Sequence, residues 1–203
     1  MENNVAEPKP RKRRTKKEVE EIIWSAFERL VIKGGFNSIT LIKLAREADV
    51  EPRVIYYRFE DETDLFEQYI RKNDFWLNNT ASIDPKLSPK ENAKKVFINL
   101  IDNLYDNEIM QRVLLWGLND THKITRQMAQ LRDLENIPMI DYINDKMKTC
   151  GLNINITNAL IISGIYYLII QRKIATFCMV NFNREESKEE LKKTVCEIVN
   201  RIF

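Results

Sequence analysis

Glycine and proline are scarce here: 5 and 6 residues in a chain of 203, where average usage would supply about 24 together. So few chain-breakers exclude a sandwich or barrel, which needs a turn every 8–12 residues or so, and exclude collagen-like or low-complexity sequence. Cysteine is scarcer still. Cys150, Cys178 and Cys196 are odd in number and widely spaced, so they supply neither a disulfide framework nor a zinc site. His122 is the sole histidine and carries no triad signature. With no phosphate-cradling glycine loop and no cluster spaced for a metal, the sequence implies neither enzyme nor cofactor. Long apolar runs are missing too. The longest, Ala159 to Ile170, is broken by Ser163 and Gly164 and falls short of the roughly 20 residues of a membrane span. The polar, basic N-terminus is not a secretory signal. These absences imply a reduced, cytoplasmic protein without a membrane partner.

What is present is charge, unevenly spread. The net charge is +2. Residues 1–17 carry +5 and residues 60–203 carry −2. Pro8 and Pro10, with no apolar residue between Pro8 and Glu18, mark residues 1–17 as a flexible basic arm. Such arms track phosphates, because each phosphate neutralised releases a condensed counterion; the plainer alternative is a solvated tail.

Apolar residues recur at helical spacing. Val19, Ile22, Ile23, Ala26, Phe27, Leu30 and Val31 make one face of a first helix that Gly34-Gly35 ends. Thr40 caps a second helix, Leu41 to Ala48, and Asp49 sits where the chain must turn. Pro52 opens a short third helix ending near Phe59. Three helices with a tight turn before the third outline a helix-turn-helix domain over residues 18–60. Residues 61–203 continue as helices: a fourth over Asp61 to Asn79, a fifth from the Ser88-Pro-Lys-Glu91 capping box to Asp106, and a sixth over Glu108 to Leu118. A seventh from Thr121 is ended or kinked by Pro138, an eighth spans Ile156 to Phe177, and a ninth starts at the Ser187-Lys-Glu-Glu190 box. Without a sustained period-two stretch, the chain reads as all-α with about nine helices. The eighth helix is apolar all round between Ala159 and Ile170, which a monomer's surface helix is not. A homodimer pairing the last two helices of each subunit as a four-helix bundle would cover it. Its interface would use Leu160, Ile161, Gly164, Tyr167, Leu168, Leu191, Val195, Ile198 and Ile202. Burial within its own domain is the alternative.

Gly35-Phe36-x-x-x-Thr40-x-x-x-Leu44-Ala45-x-x-Ala48-x-Val50, followed by Val54-Ile55-Tyr56-Tyr57-x-Phe59 and Leu65, resembles the DNA-binding domain of the tetracycline-repressor (TetR) family. The resemblance runs from Val19 to Ile70. It implies a dimeric transcriptional regulator, a repressor that a small molecule releases from a palindromic operator in double-stranded DNA. Helices two and three would form the helix-turn-helix, with the third in the major groove. Glu51, Pro52, Arg53 and Val54 would then face base edges, Arg53 donating to guanine and Val54 touching a thymine methyl. Thr40, Tyr56, Tyr57 and Arg58 would hold phosphates, with Arg13 and Arg14 of the arm completing the set. Packing is the plainer role for one of the tyrosines, and capping for Thr40.

The sequence departs from the family pattern at Asp49, Glu51, Arg53 and above all Glu62, where relatives commonly place a phosphate-binding Lys. Eight acids lie between Glu47 and Glu67 against Arg53 and Arg58. They motivate a second reading, a helical binding module of this ancestry with weakened or lost DNA binding, acting through ligand or protein contacts. In the region from the fourth helix onward the resemblance implies an effector pocket, for which Trp76, Phe97, Tyr105, Trp116, His122 and Met128 are candidate lining residues. Core packing is the plainer role for each aromatic, and a surface position for His122.

Overall fold

The helices that start at Lys16, Leu41, Pro89 and Ile154 begin where the sequence supplies a side-chain acceptor for their first N–H groups. The computed structural model describes residues 14–78, 83–119, 122–146 and 151–202. The arm up to Arg13, and Cys150, lie outside them. Helix α1 (Lys16–Gly34) opens on a reciprocal cap: Thr15 Oγ1 accepts from Glu18 N at 3.2 Å, and Glu18 accepts from Thr15 N at 2.6 Å. The backbone and hydroxyl of Thr15 hold the Glu18 carboxyl below its usual range. The helix therefore starts before Glu18, at a Thr-x-x-Glu signal legible in the sequence. Gly35 ends it at φ 70°, its N–H donating to Val31 O at 2.9 Å.

Thr40 caps α2 (Leu41–Glu47), accepting from Lys43 N at 3.2 Å. Asp49 makes the turn at φ 50°, left-handed backbone that Asp tolerates better than most residues. Pro52 begins α3 (Pro52–Tyr56). Then follow α4 (Glu62–Asn73), α5 (Pro89–Asp106), α6 (Glu108–Asn119), α7 (Lys123–Lys146), α8 (Ile154–Gln171) and α9 (Glu185–Ile202). A single 3₁₀ turn at Phe36–Ser38 is the other helical element. Among the described residues there is no strand beyond an isolated bridge between Phe177 and Val180.

Several boundaries differ from the sequence reading; α3 ends at Tyr56 rather than near Phe59, and α8 starts at Ile154 rather than Ile156. α4 stops at Asn73 rather than Asn79, because the Asn78 amide turns back onto the carbonyls of Arg71, Lys72 and Asp74 at 2.7–3.0 Å. Of the two alternatives at Pro138, an end is not found: α7 runs through it, forgoing the one hydrogen bond a proline cannot donate. α8 stops at Gln171 rather than Phe177. There Asn183 caps the Arg172 carbonyl at 2.7 Å, and Arg172 reaches across to Tyr105 O at 2.6 Å. α9 starts at Glu185, so Ser187 lies inside the helix instead of capping it.

The described residues fall into two compact units divided between Glu62 and Thr63. In the first, Ile23, Phe27 and Val31 of α1 are fully buried with Leu44 of α2 and Ile55 of α3. Trp24 meets Phe59 edge-on at 5.5 Å. In the second, α5 packs against α6, α7, α8 and α9, with Leu100, Ile101, Ile124, Ile165 and Ile169 at its centre. Helix α8 is the exception to good burial. Its 18 residues have a mean hydropathy of 1.4 and only 22% of them are buried, so by length and composition it can cross a membrane. It also contributes Ile165 and Ile169 to the core and polar Asn155, Asn158 and Tyr166 to the wall of a cavity.

Candidate DNA interface and effector cavity

A tight turn between α2 and α3 fixes what the first unit presents. Val50 N–H donates to Ala45 O at 3.1 Å and Asp49 N–H to Arg46 O at 3.3 Å, closing the end of α2 onto the turn. With Ile55 and Phe59 buried as anchors, the intervening side chains are forced outward. Arg53 is 82% exposed, Tyr57 is 90% and Tyr56 52% exposed, and Val54 and Arg58 are half-buried. Tyr57 is thus far from packing, while Tyr56 is half-covered. Thr40 is exposed with its hydroxyl engaged in capping. Arg14 lies near this turn, donating to Asp49 O at 3.3 Å. Arg58 donates to the Lys16 carbonyl at 3.3 Å. A row of cationic and phenolic groups therefore lies along the α2–α3 edge. Such groups can donate to phosphate and to base edges.

The surrounding acids have local employment: Asp49 faces Arg14 at 3.8 Å, Asp64 accepts from Gln68 at 3.0 Å and Glu67 from Arg71 at 2.8 Å. Glu47 accepts from Arg29 at 2.7 Å and pairs with Lys33 at 3.3 Å, which holds its carboxyl below the usual range. Glu51 pairs with Arg53 at 2.6 Å; both are exposed, and such a pair costs at most about 1 kcal/mol to part. Glu62 accepts from Leu41 N at 3.1 Å and so caps the N-terminus of α2. Its carboxylate satisfies one of the orphan donors a helix start leaves, a structural reason for the acid at this position. Glu62→Lys is expected to cost about 1 kcal/mol of stability through the lost cap, while tightening DNA binding at low salt. Paired urea titration and filter binding check both signs; a variant that is no less stable would show the cap to be idle.

The second unit holds a cavity of about 440 Å³ walled by α5, α7, α8 and the turn after α4, within the usual size range for small-molecule sites. Val96, Phe97, Met139, Ile140 and Ile162 make its wall largely apolar. A polar network stands at one side. Asp74, 2% exposed, pairs through Oδ2 with Arg132 at 2.6 Å and accepts from Trp76 N at 2.9 Å. Trp76 Nε1 donates to the Tyr166 hydroxyl at 2.6 Å. Burial pushes the Tyr166 phenol up, so it keeps its proton.

Of the aromatic and methionine candidates, Trp76 and Phe97 line this cavity. The others lie elsewhere in the second unit. Tyr105 donates to Phe182 O at 2.7 Å under the Arg172 guanidinium. Trp116 and His122 stack at 5.0 Å beside Phe66, and Met128 is a buried core residue. Periodicity gave no sign of Arg132, Asp133 or Tyr166 in the wall. Asn155, Asn158 and Ser163, polar residues in a mostly apolar helix, were the available signal.

The residues of the proposed pairing surface divide. Leu160 and Tyr167 are 68% and 50% exposed, and a Cβ at Gly164 would meet nothing within 4 Å. Ile161, Leu168, Ile198 and Ile202 are half-buried. Leu191 and Val195 are buried within their own chain on α9, which packs against α5.

Comparison with known proteins agrees with this arrangement. Residues 23–69 match the family described as bacterial regulatory proteins, tetR family. An HTH-type transcriptional regulator of Haemophilus influenzae is 37% identical over 60 residues, 30% of this chain and 32% of that protein, so the match spans about a third of the relative's length. A TetR-family regulator structure from Haemophilus influenzae superposes with a TM-score of 0.61 at 21% identity, over 89% of this chain and 98% of that one. The regulator FadR of Bacillus subtilis, solved with stearoyl-CoA, gives 0.66 at 17% identity over 89% and 97%. At these identities the two structures share the fold. The matched family is one of regulators, not enzymes. Over residues 23–69, its N-terminal helix-turn-helix unit matches the tetR family of bacterial regulatory proteins.

Proposed function

We propose that the protein is a homodimeric, ligand-responsive transcriptional regulator, a repressor that a small molecule releases from a palindromic operator. The observation that carries this reading is the exposed Arg53–Arg58 edge after a closed turn, held on a buried three-helix core. Arg53 reads a guanine edge, Val54 a thymine methyl, and Thr40, Tyr56, Tyr57 and Arg58 set the register on phosphates. The arm, including Arg13 and Arg14, adds the salt-dependent part of the affinity. The second unit pairs with its copy through α8 and α9 and takes the effector in the 440 Å³ cavity. Effector and DNA oppose each other through a coupling of about 1–3 kcal/mol. The compartment of such a regulator is the cytoplasm.

The second reading, a binding module with weakened DNA contact, draws on Glu51, which holds Arg53 at 2.6 Å in the free protein. Titration against DNA flanking the protein's own gene, at low and moderate salt, separates the two. Sequence-specific binding supports the regulator; binding indifferent to sequence at every salt concentration supports the module. Removing residues 1–14 deletes five basic groups. The truncation is expected to abolish most of the affinity and to flatten its salt dependence, by about 0.9 in log–log slope for each phosphate left unneutralised. Unchanged affinity would remove the arm from the mechanism.

A further inference from the structure

The cavity wall is selective in its hydrogen-bonding groups and in its charge. Arg132 is its cation, but that charge is already met within the wall by Asp74 at 2.6 Å. Asp133, the other charged lining residue, is exposed on the same helix, and no ion pair to it is seen among the described residues. With Asp74 counted, the site therefore carries one more negative charge than positive. An anionic group entering it gains no free cation, and it meets Asp133.

The hydrogen-bonding group at its closed side is a donor. The Tyr166 oxygen already accepts from Trp76 Nε1, which leaves its own proton to give. Arg132 is engaged with Asp74 through Nε and Nη2, both at 2.6 Å, so it offers a ligand no free charge. A carbonyl oxygen accepts from Tyr166 without bringing a charge beside Asp133. The rest of the wall, with Phe97, Ile140 and Ile162, suits a hydrocarbon body.

We propose that the cavity binds an uncharged, mainly apolar molecule with one carbonyl-type acceptor oxygen, held by Tyr166, in preference to carboxylates and CoA esters. This rests on the reading of the cavity as the effector site.

Calorimetric titration of the full chain with decan-2-one, decanoate and decanoyl-CoA tests it. The three probes share a ten-carbon chain and differ in head group. The ketone is expected to bind about tenfold or more tighter than either anionic probe. Tyr166→Phe should weaken the ketone about tenfold. Because that change also strips Trp76 of its acceptor, a second variant is needed. Asp133→Asn, at the exposed end of the wall, should tighten decanoate several-fold and leave the ketone within twofold. Tighter binding of an anionic probe than of the ketone overturns the inference while leaving the effector-site reading intact. Binding of none of the three overturns both.

Discussion

Arg132→Met is expected to destabilise the protein by about 3 kcal/mol, among the largest effects of any single change in the second unit. Asp74 is 2% exposed and Arg132 16%, and removing one partner of such a pair strands the other's charge in a poorly hydrated place, at a cost of about 3–5 kcal/mol. The lower end applies because Asp74 keeps its bond from Trp76 N–H at 2.9 Å. For a domain of this size the midpoint of thermal unfolding falls by about 6–12 °C, from roughly 2–4 °C per kcal/mol. The double change Asp74→Asn, Arg132→Met removes the stranded charge and is expected to recover most of the loss. Urea unfolding followed by circular dichroism measures both. A single variant within about 0.5 kcal/mol of the parent, the range of an inert surface change, would mean that water reaches Asp74 freely.

Leu160→Asp is expected to leave the subunit folded and the dimer broken. Leu160 is 68% exposed within its own chain, so the change removes little from the subunit core. In the proposed pairing it lies on the stripe of Ile156, Leu160, Gly164 and Tyr167, whose spacing of 4, 4 and 3 keeps one side of α8 toward the partner. Two-fold symmetry places the same patch on both subunits, so the variant introduces a charge from each side. At several kcal/mol per unpaired buried charge, dimer affinity should fall by at least about a thousandfold. Sedimentation velocity at micromolar concentration should show monomers with unchanged helical content. A persisting dimer would move the interface off α8.

The burial on α9 refines that pairing. Its apolar stripe was legible as a stripe, but not the side it faces. Leu191, Val195 and Val199 are taken up by their own subunit, because α5 needs a cover and α9 is the helix packed along it. In the proposed pairing, the partner-facing surface would therefore fall mainly to α8.

Local chemistry decides which other features can be read directly. The start of α5 at Pro89 was legible because Ser88, Pro89 and Glu91 hold cap, first residue and reciprocal acceptor within four positions. The turn at Asp49 and the start of α3 at Pro52 were legible for the same reason. The end of α4 was not, since the amide that stops it belongs to Asn78, beyond the helix. At α9 the Ser187 box is genuine as a motif, yet Asn181 already turns the chain by accepting from Asn183 N at 3.0 Å. The helix is under way before Ser187 arrives.

The two sites differ in the same manner. The DNA edge is a short local motif whose exposed positions follow from two buried anchors, Ile55 and Phe59. The cavity is assembled from α5, α7, α8 and the turn after α4, and its central ion pair joins residues 58 apart. No period along the chain connects Asp74 to Arg132, so aromatic content pointed to Trp76 and Phe97 and missed the polar half of the wall.

Arg53 is where the regulator reading meets its most direct trial. An operator selected from random duplexes is titrated with the parent and with Arg53→Ala, beside a scrambled duplex of equal length. Loss of about 1–3 kcal/mol of specific binding per subunit, with affinity for the scrambled duplex unchanged, is the expected outcome. Equal discrimination by the two proteins would mean that the α3 edge does not read bases.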